Sequence, residues 1–187
     1  MITRNALLAL SMLVANAANA AEPSTYGDLN GRAIKALSAG QIDDLQSGRG
    51  MGLALPAELN GYPGPLHVLD LADQLELTAD QRAETQRLFD AMQAQAIVLG
   101  EQVIAGEAAL DRMFALGTAS DAAIETATGE IGRLQGALRS HHLRYHVAMR
   151  QVLSPHQLMG YQQLRGYAAD DAHGHGDAAP DMQHEHR

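Results

Sequence analysis

Apolar side chains recur at helical spacing between residues 88 and 114 and predict one long amphipathic helix. The stripe consists of Leu88, Met92, Ala96, Leu99, Val103, Leu110 and Phe114. Gly117 follows it, and glycine is a common helix terminator because it adopts a left-handed backbone conformation without strain. We therefore expect this helix to end near Gly117.

A second apolar pattern begins directly afterwards and follows a heptad repeat. Its positions are Ile124, Ile131, Leu138, Tyr145 and Val152, with Ala127, Leu134, His141 and Ala148 on the companion positions. Such a repeat predicts a helix that packs along a coiled-coil seam. Thr118 or Ser120 can cap its start, and the connection is so short that the two long helices are expected to form an antiparallel hairpin.

Two capping boxes flank this hairpin. Their sequences are Leu77-Thr78-Ala79-Asp80-Gln81 and Leu153-Ser154-Pro155-His156-Gln157. In a capping box the hydroxyl and the Gln side chain each bond a free backbone N–H of the other residue, so both sequences predict helix starts. The second helix is expected to run to about Tyr167. Pro65, a residue type favoured at the first helical position, predicts a further short helix over residues 65–76.

These elements predict an all-α fold, a long antiparallel helical hairpin with two shorter flanking helices, over residues 64–167. Residues 21–63 are interpreted as an irregular arm with a short helix over residues 37–45, because turn signals such as Asn60-Gly61 interrupt them. Residues 168–187 offer little to bury and are expected to be disordered. A lone hairpin buries its stripe poorly, so a homodimer is expected.

Residues 1–20 have the pattern of a secretory signal peptide. Arg4 precedes an apolar run from Ala6 to Val14, and Ala18-Asn19-Ala20 fits a cleavage site, so we expect cleavage near Ala20 and a periplasmic location. No later stretch is long and apolar enough to span a membrane. The chain has no Cys, which excludes a disulfide framework.

Composition argues against nucleic-acid binding and against catalysis. The formal net charge is -9, which repels a phosphate backbone. The absence of Cys excludes a thiol nucleophile, and the glycine-rich stretch Gly48–Gly52 lacks the Lys-Ser/Thr of a phosphate loop. The sequence therefore predicts a protein that is not an enzyme.

Histidines on the second long helix are the main candidate metal ligands. His142 and His146 have the spacing that places two imidazoles on one helix face. If the chain reverses near Thr118, Asp90 faces His146, and His67 on the preceding short helix can supply a fourth ligand. Glu84 is a second carboxylate candidate. Such a site suits Zn, Ni or Co, and the thioether of Met149 would favour Cu.

Other interpretations of these residues remain open at this point. His142 and His146 can be solvated positions beside Tyr145, with Asp90 in a surface ion pair, whereas His141 is expected to pack in the core. A haem held by Met92 or Met149 and a seam histidine is a minor alternative. In the tail, alternate histidines on a flexible backbone predict weak metal chelation, and these are His173, His175, His184 and His186.

The paired Leu-Thr/Ser-x-x-Gln boxes around a long hairpin resemble the LTxxQ-motif proteins, which include Spy/CpxP-like periplasmic chaperones and CnrX-like heavy-metal sensors. The resemblance covers residues 66–167, and the segment from Gly48 to His67, including Asn60–Pro65, is similar to that of the sensor group. It implies a hooked four-helix hairpin that dimerises and, in the sensors, a metal held by His and carboxylate side chains near the junction of the first short helix and the hairpin. The sensors carry a His-x-x-x-His pair there, of which only His67 matches, since Leu71 takes the second position.

Two functions follow as hypotheses. The first is a periplasmic metal-responsive protein that acts in heavy-metal resistance or envelope stress, with a membrane-bound regulatory protein as a partner. The second is an ATP-independent chaperone or stress-response adaptor that binds unfolded client proteins. Basic residues on the second long helix would attract acidic clients in that case, and these are Arg133, Arg139, Arg144 and Arg150.

Overall fold

The computed structural model describes residues 26–167 and is all-helical over that range. The helices are α1 (Ala39–Gln46), α2 (Leu55–Glu58), α3 (Pro65–Asp70), α4 (Ala79–Ala115), α5 (Asp121–Val152) and α6 (Pro155–Leu164). No β-strand occurs between residues 26 and 167, where Ile34 and Leu37 form an isolated bridge. The predicted all-α class is therefore confirmed for this part of the chain.

The chain divides into two compact units, Met1–Gly31 and Arg32–Arg187. The described part of the first unit is Tyr26–Gly31, which contains a short 3-10 helix at Gly27–Gly31. The described part of the second unit holds all the α-helices. None of the helices between residues 26 and 167 combines the length and apolar character that crossing a bilayer requires.

The two long helices, α4 and α5, pack together and form the core with the shorter elements. One buried cluster joins them to α1 and the turn before it, and consists of Ile34, Leu37, Leu45, Ala96, Val103, Leu134 and Leu138. A second cluster joins their other ends to α3 and α6, and consists of Val68, Ala72, Leu75, Leu77, Leu88, Met149, Leu153 and Tyr161. The short helices are thus held by apolar burial against α4 and α5.

The buried stripe of α5 departs from the predicted heptad after Leu138. Its buried residues are Ile131, Leu134, Leu138, His142, His146 and Met149, whereas the predicted seam residue Tyr145 is half-buried. Ile131, His142 and Leu153 follow a hendecad spacing, about 3.67 residues per turn, which fits a nearly straight helix better than a heptad does. The interpretation of His142 and His146 as solvated positions is wrong, because they are only 2% and 8% exposed.

The predicted stripe of α4 is buried in its first two thirds only. Leu88, Met92, Ala96 and Val103 are buried, but Phe114 is 59% exposed. Helix α4 ends at Ala115 and Gly117 follows with φ +65, while the Thr118 N–H donates to the Met113 carbonyl at 3.0 Å. The predicted end near Gly117 is therefore confirmed.

The short helix that starts at Pro65 ends earlier than predicted. Helix α3 stops at Asp70 rather than near Glu76, because the following residues form turns with bonds such as Ala72 N–H to the Leu69 carbonyl at 3.1 Å. Glu76 then takes a left-handed conformation with φ 50, which turns the chain into α4.

Both predicted capping boxes are present, and their glutamines also bond each other. Thr78 and Gln81 cap α4, and Ser154 and Gln157 cap α6. The Gln81 amide donates to Gln157 Oε1 at 2.8 Å, and the Gln157 amide donates to Gln81 Oε1 at 2.9 Å. Gln157 also donates to the Leu75 carbonyl at 3.1 Å. The two boxes therefore tie the start of α4 to the start of α6.

Replacing Gln157 with Leu should lower the free energy of unfolding by about 1.5 kcal/mol, because it leaves the Ser154 N–H and the Leu75 carbonyl without this partner. Urea denaturation measures the change. Gln163→Leu, at an exposed position of the same helix, is the control and should have little effect. If the effects of Gln81→Leu and Gln157→Leu simply add in the double variant, the direct coupling is disproved.

Candidate functional site

A cavity of about 390 Å³ lies where the segment before α3 crosses α4 and α5. We call residues 47–64 the covering segment. Phe89, Met92 and Gln93 line the cavity from α4, and His142 and His146 line it from α5. The other polar side chains of its wall are Ser47, Arg49, Glu58, His67, Arg165 and Tyr167.

Contacts from Gln93 and Arg150 hold the covering segment on the long helices. Gln93 Nε2 donates to the Ser47 carbonyl at 3.2 Å. Arg150 Nη1 donates to the Gly61 carbonyl at 3.1 Å, and its guanidinium lies 4.6 Å from the centre of the Tyr62 ring. The segment is therefore anchored at both of its ends, and the histidines of α5 lie beneath it.

His142 is a buried imidazole with an unused ring nitrogen. Its residue is 2% exposed, and its Nε2 has no hydrogen-bond partner among the described residues. A Cβ atom at Gly50 of the covering segment would lie 3.8 Å from its Nδ1. Burial, together with the neighbouring His141 and His146, lowers the pKa of His142 to about 4. The ring is therefore neutral at physiological pH, the state in which imidazole binds metals.

His146 contacts the backbone of the covering segment. Its Nδ1 lies 2.7 Å from the Tyr62 carbonyl oxygen. Since a carbonyl only accepts, Nδ1 carries a hydrogen and donates, and in the neutral ring Nε2 then has the lone pair. A Cβ atom at Gly64 would lie 3.1 Å from that Nε2, so glycine lets the backbone pass close to the ring without displacing it.

Glu58 is a buried carboxylate beside His146. Its residue is 6% exposed, and its Oε2 accepts from the Gly64 N–H at 3.2 Å and lies 3.6 Å from His146 Nδ1. The Tyr161 hydroxyl donates to Oε1, and Arg165 Nε lies 3.7 Å from the same oxygen. Burial and the bond to Glu58 raise the pKa of Tyr161 far above its ordinary value. Glu58 therefore links α2 to the end of α6.

His67 reaches the cavity from α3 and is half-buried. Its Nδ1 is shielded from solvent and has no hydrogen-bond partner among residues 26–167. The nearest carboxylate oxygen, Asp70 Oδ2, is 3.7 Å away, which is too far for a hydrogen bond. Two histidines of this cavity, His67 and His142, thus each have a ring nitrogen that the fold leaves unused.

The structure brings His67, His142 and His146 to one cavity but does not bring Asp90 there. Asp90 is exposed and accepts from Gln86 Nε2 at 2.7 Å. The sequence predicted Asp90 of α4 beside His146. In the structure the covering segment lies there, and it supplies Glu58 as the carboxylate next to His146. As the side chains stand, no three of the described His, Asp and Glu residues are close enough to hold a metal ion.

The other candidates lie elsewhere. Glu84 accepts from Arg87 Nε at 2.8 Å, and Met149 is fully buried in the cluster around α3. His141 Nε2 donates to the Met92 carbonyl at 2.9 Å. The predicted signal peptide and the tail both lie outside the described residues. The tail histidines are His173, His175, His184 and His186.

Sequence reasoning missed Glu58, Arg165 and Tyr161. An acidic residue between Ala57 and Leu59, in a segment rich in Gly and Pro, was a weak signal, because nothing in its spacing indicates burial. Comparison of the chain with protein-family models, curated proteins and solved structures finds no match.

Proposed function

We propose that this protein binds a transition-metal ion in the cavity and acts as an exported metal-responsive protein. The observation that carries the proposal is the convergence of His67 and His142 on one cavity, each with a buried ring nitrogen that has no partner. A buried polar atom without a partner is disfavoured unless something satisfies it. A metal ion that accepts the lone pair of each imidazole fits this need.

The chemistry of the surroundings supports the same proposal. Neutral His142 needs no deprotonation to bind an ion at physiological pH. His146 is a third donor, because its Nε2 has the lone pair while Nδ1 donates to the Tyr62 carbonyl, an arrangement typical of metal-binding histidines. Because an ion on Nε2 makes the Nδ1 hydrogen a stronger donor to the Tyr62 carbonyl, metal binding would strengthen the hold on the covering segment. Such a coupling is what a metal-responsive protein requires.

The export and family expectations complete the proposal. In it, the chain is a periplasmic, dimeric, hairpin-shaped member of the LTxxQ group, cleaved near Ala20, with a membrane-bound regulatory protein as its partner. The paired boxes, whose glutamines bond each other across α4 and α6, support this assignment.

The test is isothermal titration of the full chain with Zn, Ni, Co and Cu. His173, His175, His184 and His186 are replaced by Ala so that only the folded part can bind. We expect one ion per chain. His142→Leu, which keeps the buried position apolar, should weaken binding by at least about 100-fold, or roughly 3 kcal/mol. His67→Leu should weaken it as well.

His156 supplies the matched control, since it is an exposed histidine of α6 outside the cavity. His156→Leu should leave the affinity unchanged. Equal affinities for His142→Leu, His156→Leu and the parent chain would refute a site in the cavity. Circular dichroism of each variant shows whether the helices are intact.

A chaperone-like function is the second candidate, favoured by exposed apolar side chains at the end of α4 and in the connection that follows it. Phe114 is 59% and Leu116 73% exposed, and large exposed apolar patches mark interaction sites. Under this alternative, Phe114→Ser with Leu116→Ser should abolish the suppression of client aggregation and leave metal affinity unchanged. Full suppression by that double variant would contradict it.

A further inference from the structure

Two methionine side chains from different elements line the same cavity. Met92 comes from α4 and is 7% exposed, and Met51 comes from the covering segment and is 40% exposed. Thioether sulfur is a soft, weak donor that contributes to binding only with soft metal ions. The cavity therefore offers sulfur as well as nitrogen.

The backbone at Met51 is unusual for its residue type. Its φ is 46, in the left-handed region that non-glycine residues rarely adopt, although glycines flank it on both sides. A methionine in this conformation is strained relative to glycine, which adopts it freely. The strained conformation places a side chain on the cavity wall where the adjacent glycines would place none, and strained residues concentrate at functional sites.

The carboxylate oxygens of the cavity wall, by contrast, are already engaged. Glu58 is the carboxylate among the lining residues, and its oxygens are bonded to Tyr161 and to the Gly64 backbone. Asp70, near His67, does not line the cavity, and its side chain is 64% exposed. The remaining nitrogen and sulfur donors of the wall are therefore three imidazoles and two thioethers.

We infer that the cavity selects Cu(I), with the thioethers of Met51 and Met92 as ligands beside His67 and His142. This inference rests on the proposed function and specifies its metal. Imidazole alone suits Zn, Ni and Co as well as copper, whereas thioethers favour Cu(I) and contribute little to harder ions. Phe89 and Leu55 add apolar side chains to the lining, and apolar surroundings disfavour ions that keep part of their hydration shell.

The test is an anaerobic titration of the full chain, with the four tail histidines replaced by Ala, against a chromophoric Cu(I) chelator. Met51→Leu with Met92→Leu preserves apolar volume. We expect the double variant to bind Cu(I) at least about 10-fold more weakly and Zn with unchanged affinity. X-ray absorption should show sulfur bound to Cu(I) in the parent chain and lose it in the double variant.

Two other methionines provide matched controls. Met149 is fully buried outside the cavity, and Met159 is 59% exposed on α6. Met149→Leu with Met159→Leu should leave Cu(I) affinity unchanged. Metal binding that needs His142 but is indifferent to Met51 and Met92 would refute the thioether ligands and leave the proposed function standing. If no ion binds to the folded part, both the inference and the proposed function fail.

Discussion

Acidification should destabilise this protein through His142, by about 3 kcal/mol between pH 7 and pH 4. The pKa of His142 is lowered from 6.5 to about 4 in the folded state. Between these values the unfolded chain binds a proton that the folded chain refuses, so stability rises with pH across this window. The contribution is complete above about pH 6.5 and is lost as pH falls toward 4.

Urea denaturation at several pH values measures this effect. Carboxylates also titrate in this range, so the informative quantity is the difference between the parent chain and His142→Leu. Relative to the parent chain, the free energy of unfolding of His142→Leu should rise by about 3 kcal/mol on acidification. His156→Leu, which removes an exposed histidine, should follow the parent at every pH. If the stability of His142→Leu changes with pH in parallel with that of the parent, the folded state does not lower the pKa of His142.

Gly100→Ala should lower the free energy of unfolding by about 2 kcal/mol. Helix α1 ends against α4 at this glycine, and an added Cβ would meet the backbone of Leu45, 2.9 Å from its carbonyl carbon. Backbone cannot rotate away as a side chain can, so α1 must move and its buried Leu45 loses contacts. The loss outweighs the gain of up to about 1 kcal/mol that alanine normally brings to a helix interior.

Gly132→Ala is the matched control for this prediction. Gly132 lies within α5, and a Cβ there would meet no atom within 4 Å. Its replacement should therefore stabilise the protein by up to about 1 kcal/mol. Thermal or urea denaturation of both variants gives the comparison. A stabilising Gly100→Ala, similar to Gly132→Ala, would contradict the close approach of α1 to α4.

The elements that the sequence predicts well are those with a local physical signature. Capping boxes require only residues three positions apart, and those at Thr78 and Ser154 predict the starts of α4 and α6 correctly. The bonds between Gln81 and Gln157 could not be predicted, because they depend on how α3, α4 and α6 meet. A box that looks like a simple helix cap in the sequence is also a tertiary contact.

Periodicity predicts the buried face of α5 up to Leu138 and then misses it by one position. The heptad pattern assigned His141 to the seam, whereas α5 buries His142. The covering segment adds to this burial, and it has no periodicity from which its path could be predicted. The spacing of His142 and His146 is a local signal and identified two cavity residues. Glu58 and Met51 lie in the covering segment, which has no such signal, and they remained unassigned.

The most direct test of a metal site in the cavity is a long-range proton–nitrogen NMR spectrum of the imidazole rings, recorded at neutral pH during titration with Zn and, under anaerobic conditions, with Cu(I). The chain again carries Ala at His173, His175, His184 and His186. We predict that the ring nitrogens of His67 and His142 shift when one ion binds, while those of exposed His156 stay in place. Unchanged signals for His67 and His142 at saturating metal would contradict the site.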